Sequence, residues 1–324
     1  MGHKSKSATS RHLIAAAVAV VTVGAVPAAR AEIELGAGFS VTGFADMSVW
    51  SLDPDGGPSI DSAGIDQFET DFMWAGSDGI SAQVDIEYGE NFEGSGDTTF
   101  VEQAFVKKAF TDQFSIKFGR FLSYSGWETE EPTGLFQYSG SGYAPFFYGY
   151  YQNGVSAAYN GEKFALMGSV VTSTFSPLDK DLDKMGYEVG AAIMPVEGLT
   201  AKAFYIKDED SDSEVINVWA SYAVNGFTFA GEYNTADYAA GAEGDGFLVM
   251  ANYARGKFGI TLRYVDYSIE NGAGVDTIDT KSYTISPSYK ASDNLLIVAE
   301  FRKDDYKVGA PDSTQVALEA LFTF

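Results

Sequence analysis

From Gly38 to the last residue the chain alternates apolar and polar positions with a period of two. That is the pattern of strands with one oily and one wet face. Ile80, Ala82, Val84, Ile86 and Tyr88 interleave with Ser81, Gln83, Asp85 and Glu87. Phe68, Thr70, Phe72 and Trp74 interleave in the same way with Gln67, Glu69 and Asp71. The series continues through Tyr187, Val189, Ala191 and Ile193, then Phe227, Phe229, Gly231 and Tyr233. It ends with Val316, Leu318, Ala320, Phe322 and Phe324. No segment beyond residue 31 has a convincing helical period. Two stretches resist the pattern: residues 100–110 show no clean alternation, and residues 144–151 are aromatic without a polar face.

The connections alternate in length. Short turns are expected at 76–79, 111–113, 160–163, 195–198, 225–226, 255–257 and 291–294. Longer polar loops are expected near 51–64, 89–98, 123–145, 175–184, 208–213, 235–245, 268–280 and 304–313. Asn225-Gly226 is the strongest hairpin signal, because a type I′ turn needs positive φ at both central residues. These connections separate sixteen strands, an even number, at about eighteen residues per strand and connection, which suits tilted membrane strands of ~9–11 residues. Trp74, Tyr88, Phe114, Tyr233, Tyr253, Phe258, Tyr264 and Tyr289 fall near strand ends, where interfacial girdles form. A soluble β-sandwich also alternates, but its crossovers do not keep a short turn at every second connection. The expected fold is therefore all-β: a transmembrane, antiparallel, up-and-down barrel of about sixteen strands, with short periplasmic turns and long external loops.

The N-terminus reads as an export signal. His3, Lys4, Lys6 and Arg11 make a basic head, residues 13–26 an apolar run, and Ala29-Arg30-Ala31 a cleavage site. The run is short of the roughly 20 residues a membrane-spanning helix needs, and no Cys follows it for lipid attachment. Residues 1–31 are expected to be a signal peptide cleaved after Ala31, and 32–324 a single barrel domain placed in the outer membrane.

Composition then removes most chemistry. There is no Cys, and the two histidines, His3 and His12, lie in the expected signal. A mature chain without either residue has no Ser-His-Asp or Cys-His nucleophile and lacks the usual zinc, copper and haem ligands. No enzyme activity and no cofactor are expected. Losing Lys4, Lys6, Arg11 and Arg30, and no acid, takes the formal charge from −24 to −28. Such a chain repels nucleic acid. The run Asp208-Glu209-Asp210-Ser211-Asp212-Ser213-Glu214 offers hard oxygen ligands of the kind calcium takes. It lacks the glycine and the spaced glutamate of an EF-hand, and a solvated acidic loop is the plainer reading. Gly94-Ser95-Gly96 and Gly140-Ser141-Gly142 are loop punctuation and make no phosphate-binding or nucleophile motif.

Gly119-Arg120-Phe121-Leu122-Ser123-Tyr124-Ser125-Gly126-Trp127-Glu128, followed by the aromatic-rich residues 143–151, resembles the OmpL-like β-barrel porins of the outer membrane. In that family the fifth strand ends in a glycine, a basic residue and Phe, and runs into a Gly-aromatic-Glu loop. Glu102-Gln103-Ala104-Phe105-Val106 is similar to the family's fourth strand, and terminal Phe324 to the signal read by the barrel-assembly machinery. The resemblance is specific over residues 98–160 and architectural elsewhere. It implies a passive outer-membrane channel for small hydrophilic solutes and ions. Its partners would be outer-membrane lipid, the assembly machinery and further copies in a homotrimer. It also implies that the loop from 123 to 145 folds into the lumen, with Trp127, Glu128, Glu130 and Glu131 lining the constriction. The alternatives are a solvated external loop and, for the whole protein, a structural or adhesive barrel without an open pore.

Strand parity gives an expected ion preference. With each apolar set facing lipid, the opposite face carries the acids Asp46, Glu69, Asp71, Asp85, Glu87, Glu188, Glu232, Glu300 and Glu319. The bases there are Lys117, Lys202, Arg263 and Arg302. The irregular fourth strand is left out of this count. Six of the acids fall on the first, second, third and sixteenth strands, which become neighbours on closure. A low-dielectric wall focuses that excess and favours cations. This departs from general porins, whose wall opposite the acidic loop is rich in Arg and Lys.

Overall fold

Backbone pairing in the computed structural model, which describes residues 32–92, 97–128 and 130–324, runs through seventeen strands. They are β1 (Ile33–Gly36), β2 (Phe39–Pro54), β3 (Ile60–Ala75), β4 (Ile80–Phe92), β5 (Asp97–Ala109) and β6 (Phe114–Leu122). Then come β7 (Tyr151–Asn160), β8 (Phe164–Val171), β9 (Gly186–Ile193), β10 (Leu199–Asp208), β11 (Ser213–Val224) and β12 (Phe227–Tyr238). The last are β13 (Ala242–Arg255), β14 (Phe258–Glu270), β15 (Asp276–Lys290), β16 (Leu295–Val308) and β17 (Ser313–Thr323). From β2 onward each strand pairs antiparallel with the next, and β17 pairs with β2, closing a sixteen-stranded barrel. The short β1 folds back on β2. Closure leaves no row of unpaired backbone groups facing lipid, which is what a membrane demands of strands. The expected signal peptide and its cleavage position, and the Gly94-Ser95-Gly96 punctuation, lie outside the described residues.

The seam is finished by the terminal residue. Phe324 N donates to Gly43 O and Gly43 N to Phe324 O, both at 3.0 Å. Thr42 Oγ1 adds a 2.8 Å bond to Phe324 O, and the Phe324 ring stacks on Phe68.

Because successive side chains point to opposite faces, the predicted apolar sets turn outward: Phe68, Phe72, Val84, Val189, Phe229, Leu262 and Leu318 are all exposed on the outer surface. Asn225 and Gly226 have φ of 51° and 83°, the two positive values a type I′ turn requires. Aromatic pairs flank the short turns: Phe39 with Trp74, Phe110 with Phe114, Tyr159 with Phe164, Phe227 with Tyr253 and Phe258 with Tyr289. Nearer the opposite rim, Tyr264 lies between Phe247 and Tyr283.

At that rim the polar stretches are mostly strand rather than loop. Ser51 pairs with Asp61 and Leu52 with Ile60; β12 runs to Tyr238 and β13 resumes at Ala242. Polar residues continue the ladder because hydrogen bonding to the neighbouring strand satisfies the backbone as well as water does. Among the described residues only the connections 123–150 and 172–185 are long. The irregular strand also has a physical cause. Asp85 pairs with Gln103 but Ile86 with Val101, so Glu102 is the extra residue of a β-bulge, which shifts the inward parity of β5.

Candidate functional site

The 123–150 connection leaves β6 and crosses the interior of the barrel, fastened to the wall along its length. On the outgoing arm Ser123 Oγ donates to Glu188 Oε2 at 2.8 Å and Tyr124 N to Glu188 Oε1 at 2.9 Å. Gly126 N donates to Asn217 Oδ1 at 3.1 Å, and Trp127 N to Glu232 Oε1 at 2.9 Å. Further on, Tyr138 OH reaches Asp66 Oδ2 at 3.1 Å, on the far side beside β2, and Ser139 N donates to Glu300 Oε2 at 3.2 Å. On the return arm the Tyr143 and Tyr148 hydroxyls both donate to Glu232 Oε2. Burial, with the Glu232 carboxylate beside them, pushes both phenols well above the usual tyrosine range. Glu188, Glu232 and Glu300 thus face inward, and each accepts at least one hydrogen bond from the loop.

Two wall arginines clamp the same loop. Arg263 Nη1 meets Glu128 Oε1 at 2.6 Å, with both side chains almost fully buried. The guanidinium also donates to Ser139 O at 2.7 Å, Gly140 O at 3.2 Å and Thr284 Oγ1 at 3.3 Å. Arg302 pairs with Asp304 at 2.8 Å and donates to Gly140 O at 2.9 Å. Glu128 therefore lies in the loop–wall contact, Glu130 is exposed, and Glu131 lies between Gln67 and Tyr151, whose OH donates to it at 3.0 Å. Trp127 packs on Phe136 and edge-on to Trp219.

The loop also explains residues 144–151. One helical turn, α1 (Ala144–Phe147), carries Phe147 into a buried cluster with Tyr143, Tyr148, Ile206, Val215, Leu248 and Val265. Here the inner face of β10–β14 carries an apolar patch, because that patch is covered by protein rather than water. Burying each large apolar side chain contributes about 1.5–3 kcal/mol, so the aromatic stretch holds the return arm against this wall.

The opposite wall, β3 to β5, is acidic. Glu69 lies directly across from Glu87, and Asp71 from Asp85. Asp85 accepts from Gln83 at 2.9 Å and from Gln103 at 2.6 Å. Asp46 and Glu319 are buried on the adjoining β2 and β17. The remaining bases rest on rings: Lys117 Nζ lies 4.4 Å from the Phe121 centroid and Lys202 Nζ 4.9 Å from that of Trp219. All nine parity-assigned acids are buried on the inner face. The parity count omits Glu102 and Lys107, the latter directly opposite Lys117. Both sit on the bulged strand, whose broken alternation was the only signal of them.

The acidic run beginning at Asp208 is a tie between loops. Asp208 accepts from Ser173 Oγ at 2.8 Å, Thr174 N at 2.6 Å and Ser211 N at 2.9 Å. Asp210 pairs with Lys184 at 3.6 Å, and Glu214 pairs with Lys207. Arg120, from the Gly119-Arg120-Phe121 motif, donates to Val101 O and Pro177 O at 2.8 Å and to Asn153 Oδ1 at 3.0 Å, tying the 172–185 connection to the wall.

Residues 15–309 match a family model described as Gram-negative porin. No curated protein sequence matches the chain significantly. Among solved structures it is similar to OmpF of Salmonella typhi in complex with daunomycin, at 16% identity and a TM-score of 0.66, over 90% of this chain and 100% of that one. It is similar to an anion-selective porin from Comamonas acidovorans, at 14% identity and a TM-score of 0.66, over 88% of this chain and 99% of that one. A third is the trimer form of OmpT, an outer membrane protein of Vibrio cholerae, at 14% identity and a TM-score of 0.63, over 88% and 99%. At such identities the likeness shows the fold.

Proposed function

The chain belongs to the Gram-negative porins and is an outer-membrane β-barrel channel, and from that premise we propose that it passes small hydrophilic solutes and ions by diffusion, with a preference for cations. The observation that carries the preference is the unequal use of charge on the inner face. Arg263 and Arg302 are committed to acids and loop carbonyls, while the acids of β2 to β5 and β17 line the inner face away from the apolar cluster, with no arginine among them. Fixed negative charge in a low-dielectric wall raises local cation concentration within about a Debye length, ~10 Å at 0.1 M salt. In this reading the constriction lies where loop 123–150 crosses the interior, beside its contact with β3 through Glu131 and Gln67. Glu131 stands at the narrowing and Glu130 at its mouth, while Trp127 and Glu128 hold the loop's shape. Residues 1–31 act as the cleaved export signal, and the working assembly is a homotrimer, which the trimer form of the Vibrio cholerae relative supports.

A second reading, a barrel without an open pore, draws on the loop's reach across the interior and its apolar packing. Liposome swelling with solutes of graded size separates the two. Swelling that falls with solute size supports the channel, and none even for the smallest solutes overturns it.

A further inference from the structure

The inner face of β3 to β5 gathers carboxylates in a way the sheet itself disfavours. Like charges directly opposite each other destabilise a strand pair, and two such pairs occur here, Glu69 with Glu87 and Asp71 with Asp85. The β5 bulge adds Glu102, and the loop brings Glu131 onto the same spot. One carboxylate oxygen from each of Glu69, Glu102 and Glu131 lies within 4.8 Å of the others. Oxygens of Glu69, Asp71 and Asp85 are grouped as tightly.

Burial and satisfaction set this cluster apart from the acids that anchor the loop. Glu69 and Glu102 are each 2% exposed, and in each the buried Oε2 has no hydrogen-bond donor among the described residues. Glu188 and Glu232, equally buried, accept from loop N–H and hydroxyl groups. A buried carboxylate oxygen without a donor or counter-charge costs several kcal/mol, so such groups are paired, hold metals or become neutral. The unfilled oxygens of Glu69 and Glu102 belong to the same three-residue group as the loop's Glu131.

We infer that Glu69, Glu102 and Glu131 form a calcium site that ties loop 123–150 to the β3–β5 wall. An all-carboxylate donor set suits a hard cation. Calcium holds oxygens at about 2.3–2.6 Å, so ligands on opposite sides of one ion stand up to about 5 Å apart, which this group's spacing fits. Magnesium, which keeps several waters and is usually held by one or two carboxylates rather than three, fits less well. Asp71 and Asp85 add negative charge beside Glu69, and water completes the coordination. The consequence for conduction rests on the channel reading: a bound ion fixes the loop tip and cancels two negative charges, so calcium lowers the preference for potassium. Binding itself is measured without conduction.

The test is isothermal titration of calcium chloride into the folded, detergent-solubilised barrel after treatment with a chelator. Saturable binding is expected, competed only weakly by magnesium and not by potassium. Glu69→Gln and Glu102→Gln each weaken it by about tenfold or more, since affinity follows the charge count of the ligands. Glu131→Gln does the same from the loop and leaves the strand ladder intact, and Asp293→Asn, in an exposed turn, leaves binding unchanged. Heat-modifiability on gels establishes that each variant is folded. No saturable calcium binding by the unaltered protein overturns the inference, as does binding that Glu131→Gln and Glu69→Gln leave unchanged. A barrel that conducts but binds no calcium sinks this inference alone; one that binds calcium but never conducts sinks the channel reading alone.

Discussion

Arg263→Met removes the cation of the most deeply buried ion pair between loop and wall, and its cost follows from what is left behind. Among the described residues Glu128 then keeps a single donor, the Gln137 amide at 2.9 Å on Oε1, while its Oε2 has none. Stranding one partner of a buried pair costs about 3–5 kcal/mol, and at about 1.4 kcal/mol per decade that is roughly a 10²–10⁴-fold rise in the population of detached loop. Glu128→Leu is milder, because the guanidinium keeps the Ser139 and Gly140 carbonyls and the Thr284 hydroxyl. The double variant is more stable than Arg263→Met alone, since no charge is then buried unpaired. The cost falls on local detachment of the loop rather than on the barrel, whose strand pairing is untouched. Trp127, packed on Phe136 and Trp219, reports it. In denaturant its emission shifts red at lower concentration in Arg263→Met, while the loss of β-sheet circular dichroism stays in place. Single-channel records become larger and noisier. A Trp127 transition that does not move, or a double variant no more stable than Arg263→Met, refutes the clamp.

Tyr143→Phe with Tyr148→Phe removes two hydrogen bonds to the Glu232 carboxylate, each worth about 1.5–3 kcal/mol, and the Trp127 transition again moves to lower denaturant. The two phenols are raised well above the usual range in the folded loop. Their contribution is therefore full below about pH 10, where unfolded tyrosines are protonated as well, and is lost as the pH rises beyond it. Alkaline loosening that persists unchanged in the double Phe variant counts against this. Gly43→Ala places a Cβ 2.2 Å from Glu69 O and 2.7 Å from the Phe324 ring, so it weakens the closing seam by about 1–3 kcal/mol. A variant with the heat stability of the unaltered barrel, judged on gels, contradicts that. Asp71→Asn with Asp85→Asn lowers the potassium-to-chloride permeability ratio without moving the Trp127 transition; a ratio left as it was means the β3–β4 wall is not on the ion path.

What the sequence disclosed, and what it hid, follows from how far each feature depends on neighbours. Alternation at Ile80 to Tyr88, the Asn225-Gly226 turn and terminal Phe324 are local signals of strand, hairpin and seam, and the sixteen-stranded barrel was legible from them. Glu102 and Lys107 escaped the parity count because a bulge exists only against a partner strand. The rim extensions of β2, β12 and β15 look like loops in the sequence because polar residues with little hydrophobic contrast show no period, although their backbones pair. Ile206, Val215, Leu248 and Val265 can turn inward only because Phe147 and its neighbours arrive from a loop distant in sequence to cover them. The Arg263–Glu128 clamp spans 135 positions, and nothing near either residue announces it.

The reversal potential of the reconstituted channel in a potassium chloride gradient reads the sign of the field inside the bore. If the acids of β2 to β5 and β17 set the field while the arginines are held by the loop, the potential has the sign of potassium preference and grows as salt is lowered and screening weakens. A potential of the chloride sign, or one indifferent to ionic strength, means that these acids do not set the field.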